Sequence, residues 1–483
     1  MVVYKGVGMK KFSKEQLDKI INNSFKAGTQ NNLYYLSEET FRQMKKDKRF
    51  VQTYKVRTDI ANEMLNLIDK SVWHNKNAKV LQLAGMSDDF FSLMFSRFYF
   101  GLASEIPDRY ERAQYILDNN IYILCLDLVN QLYTQTECYC EPVSDSNIFK
   151  FGTYKIENNR LIEVSCNNVL GNINLYQMKL SLLDGGLKVE DMKFDAVVGN
   201  PPYNDDIYID FVNLGFELLK DTGIEVMITP AKWQAKGGQK NEALRKNIVP
   251  HMSKIVYYPN PLDVFPDTPM CGDAITYYTI GKTVHSDKYI NNKLEEHWET
   301  RYGLDNTCIN IVKKIHGRRI VESKDVSITP VKSYFTSRNF GDVSEDTSSR
   351  YYMRSSARCI KVPESAFNNK KDMDKHKVYI GHYITSNPVL HLVEPFVADV
   401  REDCLLGFGS KEKCESIISY YKCKLIWFLV FMTNCGNASK EAFINVPDPG
   451  AFDHIFTDEE LYKKYNLTQE EINIIESVIK ERK

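Results

Sequence analysis

Asp195-Ala196-Val197-Val198-Gly199-Asn200-Pro201-Pro202-Tyr203 reads as an apolar strand that stops at an amide, two prolines and an aromatic ring. Proline has no N–H to give a sheet ladder and drives the preceding residue into extended geometry. Pro201 and Pro202 therefore end the strand and stiffen the loop that follows. Asn200 and Tyr203 are expected at the strand's carboxyl edge, where open α/β sheets bind their ligands. An asparagine amide offers a carbonyl acceptor and an NH2 donor, and the Pro201 carbonyl is a second acceptor nearby. Two acceptors converging on an exocyclic amino group fix it and keep electron density on its nitrogen. The Tyr203 face would stack on a planar base taken out of its duplex. A bare Asn-Pro-Pro is also a turn signal; the apolar strand before it and the aromatic after it favour a site.

The chain has 483 residues, enough for two or three domains with cores of their own. A net charge of -1 with 26% charged residues is that of a globular protein, so any nucleic-acid surface must be local. The eleven cysteines are scattered, and Cys138-Tyr139-Cys140 has no second pair at zinc-ribbon spacing. Reduced thiols and no metal site are expected. No stretch reaches the length of a membrane span and no signal-peptide core opens the chain, which points to the cytoplasm.

In chain order, residues 12 to 48 carry helix-spaced Leu17, Ile20, Ile21 and Phe25, and Thr58 or Asp59 is placed to cap an amphipathic helix running to Ile68. Lys79 to Ala84 is a short strand that runs into a loop at Gly85 and then a helix. Asn119 to Asp127 is a second buried strand ending in a carboxylate, and Ile162 to Leu170 is a further strand-to-loop transition. Helix-spaced Phe211, Leu214, Leu218 and Leu219 precede the strand Ile224 to Pro230, so strand and helix alternate as in an α/β fold.

Asp195 to Tyr203 resembles the catalytic motif of S-adenosylmethionine-dependent N6-adenine DNA methyltransferases. The same four letters, Asn-Pro-Pro-Tyr, occur in enzymes that methylate protein glutamine amides and ribosomal RNA guanines. The run Ile228-Thr229-Pro230-Ala231-Lys232-Trp233, then Gly237-Gly238, Leu244-Arg245 and Asp263-Val264-Phe265-Pro266, is similar to one branch of the adenine enzymes from bacterial restriction-modification systems, a branch with a degenerate glycine loop. The resemblance implies a Rossmann-like class I methyltransferase domain with a mostly parallel sheet, followed by a mixed α+β target-recognition domain. It implies a catalytic set of Asn200, Pro201, Pro202 and Tyr203. It implies a cofactor set of Leu83, Ala84 and Gly85 in the loop, Asp127 on the ribose, Asn168 near the adenine, and Asn200. The chain departs from the family pattern at Gln82, where an acid is expected, in keeping only Gly85 in the turn, and in lacking a proline before Thr58.

Beyond about residue 285, basic residues among them Arg318, Arg319, Arg338, Arg350, Arg354, Arg358 and Lys361 are interleaved with Phe335, Phe340, Tyr351 and Tyr352. Cations that neutralise phosphates, with some reading base edges, fit this composition, and so does an evenly charged solvated surface. Arg318, Arg319, Arg338 and Arg354 are the DNA-facing candidates. Trp233 joins them as a wall of the base pocket, with burial in the core as its alternative. The expected organisation is a helical lead-in over 1–48, a catalytic domain over 49–285, a recognition domain over 286–440 and a helical end over 441–483. Thr457 with Glu460 and Thr468 with Glu471 predict capping boxes in that last segment.

The expected activity is site-specific methylation of adenine N6 in duplex DNA, with S-adenosylmethionine as methyl donor and, as a partner, a separate restriction endonuclease chain. The alternatives are an inactive methyltransferase fold kept as a DNA-binding specificity subunit, and a protein or RNA N-methyltransferase.

Overall fold

The computed structural model describes residues 13–25, 56–85, 89–126, 148–151, 153–157, 160–165, 193–201, 203, 206–266, 274–317, 329–330, 335–337, 339–355, 358–368, 370, 372–381, 383–400 and 404–479. Two compact units divide the chain. Unit 1 holds residues 1–230 and 243–296, and unit 2 holds 231–242 and 297–483.

Unit 1 opens with helices α1 (Lys14–Ser24) and α2 (Thr58–Leu65), then strand β1 (Val80–Gly85), α3 (Phe90–Gly101), α4 (Arg109–Asn119), β2 (Ile121–Leu126) and β3 (Ile148–Phe151). It continues with β4 (Phe194–Gly199), α5 (Tyr208–Leu218), β5 (Leu219–Pro230), β6 (Met252–Tyr258), β7 (Ile275–Ile280), β8 (Lys288–Ile290) and β9 (Lys293–Glu295). One nine-stranded sheet results, in the order β9-β8-β6-β7-β5-β4-β1-β2-β3. The strands β3, β2, β1, β4 and β5 are mutually parallel, and β7 runs antiparallel between β5 and β6. Ala196, Val197 and Val198 have no exposed surface, as expected of a strand covered on both faces.

The chain builds outward from β1 to β2 and β3, then returns to lay β4 and β5 on the other side of β1. The order reverses between β1 and β4, the place in an open α/β sheet where ligands bind beyond the strands' carboxyl ends. The expected strand ahead of Asn168 does not join this sheet. Arg160–Ser165 pairs instead with Thr153–Glu157 in a separate two-stranded hairpin.

The start of α2 differs from the expectation. Arg57 is its N-cap residue, and its first turn has no side-chain cap. The Asp59 carboxylate accepts from its neighbour Ile60 N–H at 3.0 Å and from Arg57, while the Thr58 hydroxyl donates to Asp89 at the head of α3. A tertiary partner took the Thr58 side chain, and Asp59 is held by its neighbours in the chain.

Unit 2 carries a four-stranded sheet, a three-stranded sheet of Tyr352–Arg354, Cys359–Lys361 and Val397–Asp399, and helices that include α6 (Asn306–His316) and α7 (Lys424–Phe431). Phe335, Tyr351, Met353, Val362, Tyr379 and Leu405 belong to its core. Two short helices close the described chain, α8 (Asp458–Lys464) and α9 (Gln469–Val478). At α9 the capping box is complete: Thr468 Oγ1 accepts from Glu471 N–H at 3.3 Å, and Thr468 N–H donates to the Glu471 carboxylate at 2.7 Å. At α8 it is half formed. Thr457 accepts from Glu460 N–H at 3.3 Å, but the Glu460 carboxylate faces His454 Nε2 at 3.1 Å. Among the described residues no helix is long and apolar enough to cross a membrane.

One buried carboxyl in unit 1 lies outside any ion pair. Glu225 of β5 has no exposed surface, and neither carboxyl oxygen has a hydrogen-bond partner among the described residues. It lies so close to α5 that a Cβ at Gly215 would fall 2.5 Å from its Oε1. Lys282 attracts it from a distance, but that ammonium donates to the Phe216 carbonyl at 2.6 Å. Burial therefore raises the Glu225 carboxyl well above its ordinary 4.5. The folded chain keeps a proton that the unfolded chain releases above that value, so Glu225 makes stability fall as pH rises past 4.5. In thermal unfolding across this range, Glu225→Gln is expected to flatten the decline and to raise the melting temperature at alkaline pH. A slope unchanged by the substitution would show that Glu225 does not titrate on unfolding.

Candidate functional site at the sheet switch point

The residues singled out around Asn200 come together at the reversal between β1 and β4. Leu83 pairs in register with Gly199, so the end of β1 and the start of the Asn200 loop lie side by side. Glycine is required at 199 by contact distance: a Cβ there would sit 2.8 Å from the Leu83 carbonyl oxygen and 3.1 Å from Met227 Sδ. The lack of a side chain lets β1 and β5 close around β4 just before the loop. At the other end of β4, the Asp195 carboxylate accepts from Lys79 N–H at 2.8 Å and from Lys220 Nζ at 2.7 Å. Asp195 thus ties the starts of three strands together and stands away from the site.

Asn200 is buried, with 3% of its surface exposed. Its Oδ1 accepts from the Tyr203 hydroxyl at 2.9 Å, and the same hydroxyl lies 3.4 Å from the Ile228 carbonyl on β5. A carbonyl oxygen has two lone-pair directions, and this bond takes one of them and orients the amide. Tyr203 is not the exposed platform that the sequence suggested. It is 6% exposed and meets Phe265 edge to face at 6.1 Å. Stacking a base on Tyr203 therefore requires the surroundings of the ring to open. Pro201 is buried, and Pro202 lies outside the described residues.

Loops from other elements converge on the same edge. The Arg57 N–H donates to the Val264 carbonyl at 3.1 Å, and its Nη1 donates to the Asp263 carbonyl at 3.0 Å. These bonds fix the turn that carries Phe265 against Tyr203. Glu63 of α2 accepts from the Tyr277 hydroxyl at 3.1 Å and sits 3.4 Å from that of Tyr258. Burial first, and then the Glu63 charge, push the Tyr258 hydroxyl up to about 12. The Thr58 hydroxyl holds Asp89, whose side chain is 5% exposed and does not cap its own helix.

The remaining sequence candidates divide into three groups. Leu83 is buried in β1, and Ala84 and Gly85 complete that strand, with Gly85 opposite Cys125 of β2. Gln82 sits within the strand at 3% exposure, paired with Ile123 and Val198. Asp127, Asn168, Arg318, Arg319 and Arg338 lie outside the described residues. Trp233 needs correction as a DNA-facing residue: it has no exposed surface. The 3-10 turn Ala231–Gln234 folds its indole into unit 2, with Gln234 tied to the Thr300 carbonyl at 2.9 Å and to Asn434 at 3.1 Å. Arg354 is half-buried in unit 2, 4.0 Å from the buried Asp399 carboxylate. Sequence reasoning passed over Arg57, Glu63, Asp89 and Phe265 as parts of one edge. The acid heading the apolar run Phe90 to Phe95 was the visible signal for Asp89.

A doubly wound sheet with its reversal at β1 and β4 and an inverted β7 is the fold of a class I methyltransferase. Residues 119–265 match the model of the Eco57I restriction-modification methylase family. The restriction-modification resemblance drawn from the run Ile228 to Pro266 is thereby met over the matched residues. A type I restriction-modification methyltransferase subunit from Streptococcus thermophilus is similar at 14% identity over 56% of this chain and 54% of that one, with a TM-score of 0.27. The type IIG restriction endonuclease BpuSI is similar at 12% identity over 86% and 61%, with a TM-score of 0.31. The type IIL restriction-modification enzyme MmeI, solved in complex with DNA, is similar at 10% identity over 89% and 66%, with a TM-score of 0.38. The chain spans about half the length of the first solved structures it matches. No curated protein sequence matches the chain.

S-adenosylmethionine is the methyl donor of this class. It is a cation bearing an α-amino acid tail, and the acceptors among the described residues include the buried carboxylate of Asp89 at the head of α3 and the buried amide of Asn200 directly after β4. That donor set fits the group. Because Gly199 is in contact with the Leu83 backbone, Gly199→Ala is expected to destabilise unit 1 by about 1–3 kcal/mol. Urea unfolding measures this, and a loss below about 0.5 kcal/mol would show that β1 can move away at no cost.

Proposed function

We propose that the chain is a site-specific DNA adenine-N6 methyltransferase of a restriction-modification system. The observation that carries this reading is the Asn200 amide at the β4 edge, oriented by the Tyr203 hydroxyl and flush with the end of β1. The adenine is taken out of the duplex, and its amino group donates to Asn200 Oδ1 and to the Pro201 carbonyl. Held by two acceptors, the amino nitrogen keeps its lone pair directed away from the ring plane. When bound, S-adenosylmethionine supplies an electrophilic methyl group to that nitrogen. Neither a strong base nor a metal is called for, since positioning lowers most of the barrier and the amino proton can leave to water. Tyr203 has two roles in turn: its hydroxyl sets the amide, and its ring stacks on the base after leaving Phe265. Extrusion of the base costs a few kcal/mol, which stacking and the two hydrogen bonds offset.

The cofactor set Leu83, Ala84, Gly85, Asp127, Asn168 and Asn200 and the catalytic set Asn200, Pro201, Pro202 and Tyr203 are part of this proposal. So is the division into a catalytic domain over 49–285 and a DNA-recognition domain over 286–440, with Arg318, Arg319, Arg338 and Arg354 toward the duplex. Double-stranded DNA is the substrate, and a separate endonuclease chain is the expected partner.

The test is transfer of tritium from labelled S-adenosylmethionine into duplex DNA. The wild-type chain is expected to label N6 of adenine, and Asn200→Ala to abolish labelling. Label found only in protein or RNA would overturn the DNA assignment. Binding of the donor with no transfer to any acceptor would identify an inactive specificity subunit. In the same assay, Tyr203→Phe keeps the stacking ring and is expected to retain far more kcat/KM than Tyr203→Ala, which loses about tenfold to a hundredfold. Equal losses would place the role of Tyr203 in its hydroxyl alone.

A further inference from the structure

We propose that Leu262 is an apolar wedge that enters the DNA duplex where the target base has been drawn out, closing the gap in the base stack while the base is held at Asn200. This inference rests on the methyltransferase reading and adds a residue from a loop that the Asn200 motif does not contain.

Leucine is a core residue by chemistry, yet Leu262 is 48% exposed. One exposed leucine is ordinary on a protein surface; this one is set apart by how firmly its backbone is held. It is the middle residue of the 3-10 turn Pro261–Asp263, and the prolines at 259 and 261 have their φ angles fixed by their rings. Asn260 caps the turn: its Oδ1 accepts from the Leu262 N–H at 3.2 Å, and its Nδ2 donates to the Asp263 carboxylate at 3.3 Å. The Val264 and Phe265 N–H groups both donate to the Pro261 carbonyl, at 3.1 and 2.9 Å. Arg57, just ahead of α2, donates to the Val264 and Asp263 carbonyls. Pro261 on one side of Leu262 and Val264 and Phe265 on the other are buried. The turn is thus anchored at both ends while the leucine side chain is left in solvent. An apolar point held in this way loses little backbone freedom when it is inserted into a partner.

Its place in the sheet gives the partner. Ile275 of β7 pairs with Pro230 of β5 on one side and with Tyr258 of β6 on the other, so β6 ends level with β5. That is the carboxyl edge to which the parallel strand β4 delivers Asn200. Leu262 stands three residues before Phe265, whose ring meets Tyr203. Three residues span at most about 11 Å between Cα atoms, so Leu262 and the Asn200–Tyr203 pair belong to one neighbourhood. A duplex that gives up an adenine to Asn200 must approach this edge. Drawing the base out breaks its stacking on both neighbours and leaves a gap one base thick, and leucine is among the side chains that fill such gaps between base steps. The neighbours of Leu262 on the turn are unsuited to this, since Pro261 is buried and the Asp263 carboxylate is a charge tied to Asn260. The other large apolar side chains exposed in unit 1 are Phe25, Phe100, Val284, Tyr289 and Leu294, on or beside α1 and α3 and at the β8–β9 end of the sheet. Among the described residues of unit 1, Leu262 is therefore the exposed apolar side chain on the turn that reaches Tyr203.

The experiment measures methyl transfer by the full chain into two oligonucleotide duplexes, both carrying the sequence that the wild type labels in unmethylated genomic DNA. In one the target adenine faces thymine; in the other it faces an abasic position, so that no base pair opposes its extrusion. Leu262→Ala is expected to lose about tenfold to a hundredfold in kcat/KM on the paired duplex and less than about threefold on the abasic one. Leu262→Met keeps an apolar side chain of similar volume and is expected to stay within about threefold of the wild type on both. Thermal melting and calorimetric binding of S-adenosylhomocysteine are expected to be unchanged in Leu262→Ala, because the side chain is exposed. Full activity of Leu262→Ala on the paired duplex would overturn the assignment and leave the methyltransferase reading intact. Equal losses on the two duplexes would overturn it as well, by showing that Leu262 holds the edge in place and does not act in the base stack. A wild-type chain that labels no DNA would take down the methyltransferase reading and this inference together.

Discussion

The contact on which the rest of unit 1 depends is the approach of β1 to β4 at Leu83 and Gly199. With 2.8 Å between the Leu83 carbonyl oxygen and any Cβ at 199, only glycine lets the two strands close at that level. Their pairing is also where the sheet changes its direction of growth, so the place of this edge follows from topology and the close approach of the two strands from that glycine. Pro201 then prevents β4 from continuing, and the chain leaves the sheet with Asn200 at its edge.

Around that edge the polar groups are held by partners far away in sequence. Arg57 fixes the Asp263–Val264 turn, that turn sets Phe265 against Tyr203, and Tyr203 sets Asn200. Thr58 meets Asp89, and Glu63 meets Tyr277. Deeper in the sheet the pattern is inverted: Glu225 is enclosed with no hydrogen-bond partner among the described residues, and burial raises its carboxyl well above the ordinary value. A rim that orients polar groups above an interior that suppresses charge keeps electrostatic interactions short-ranged and directional.

Unit 2 shows why a run of basic letters is a poor guide to a charged surface. Arg358 pairs with Glu345 at 2.9 Å, Lys375 with Asp372 at 2.7 Å, and Lys370 with Glu364. Arg350 lies 4.7 Å over Phe396 and Lys361 lies 5.6 Å over Tyr352. The interleaving of cations and aromatics seen in the sequence is therefore real as contact within the unit, and its cations are shared between acids and rings.

The amino-acid sequence by itself determined the strands at Val80, Ile121 and Phe194, the stop at Pro201, the α/β class and the full capping box at Thr468. In each case the cause is local: period, a missing N–H, or a side chain reaching its own backbone. It also determined which residue types stand at the edge, Asn200 and Tyr203. Only the tertiary structure decided how they are used. The Tyr203 hydroxyl is tied to the Asn200 carbonyl while its ring meets Phe265, and Trp233 is buried in the turn after Pro230, which belongs to unit 2. The Thr58 hydroxyl and the Asp89 carboxylate meet across 31 residues, and Asp89 makes no cap bond to its own helix. Bonds of that kind depend on where two helices meet, and no window of sequence contains both ends.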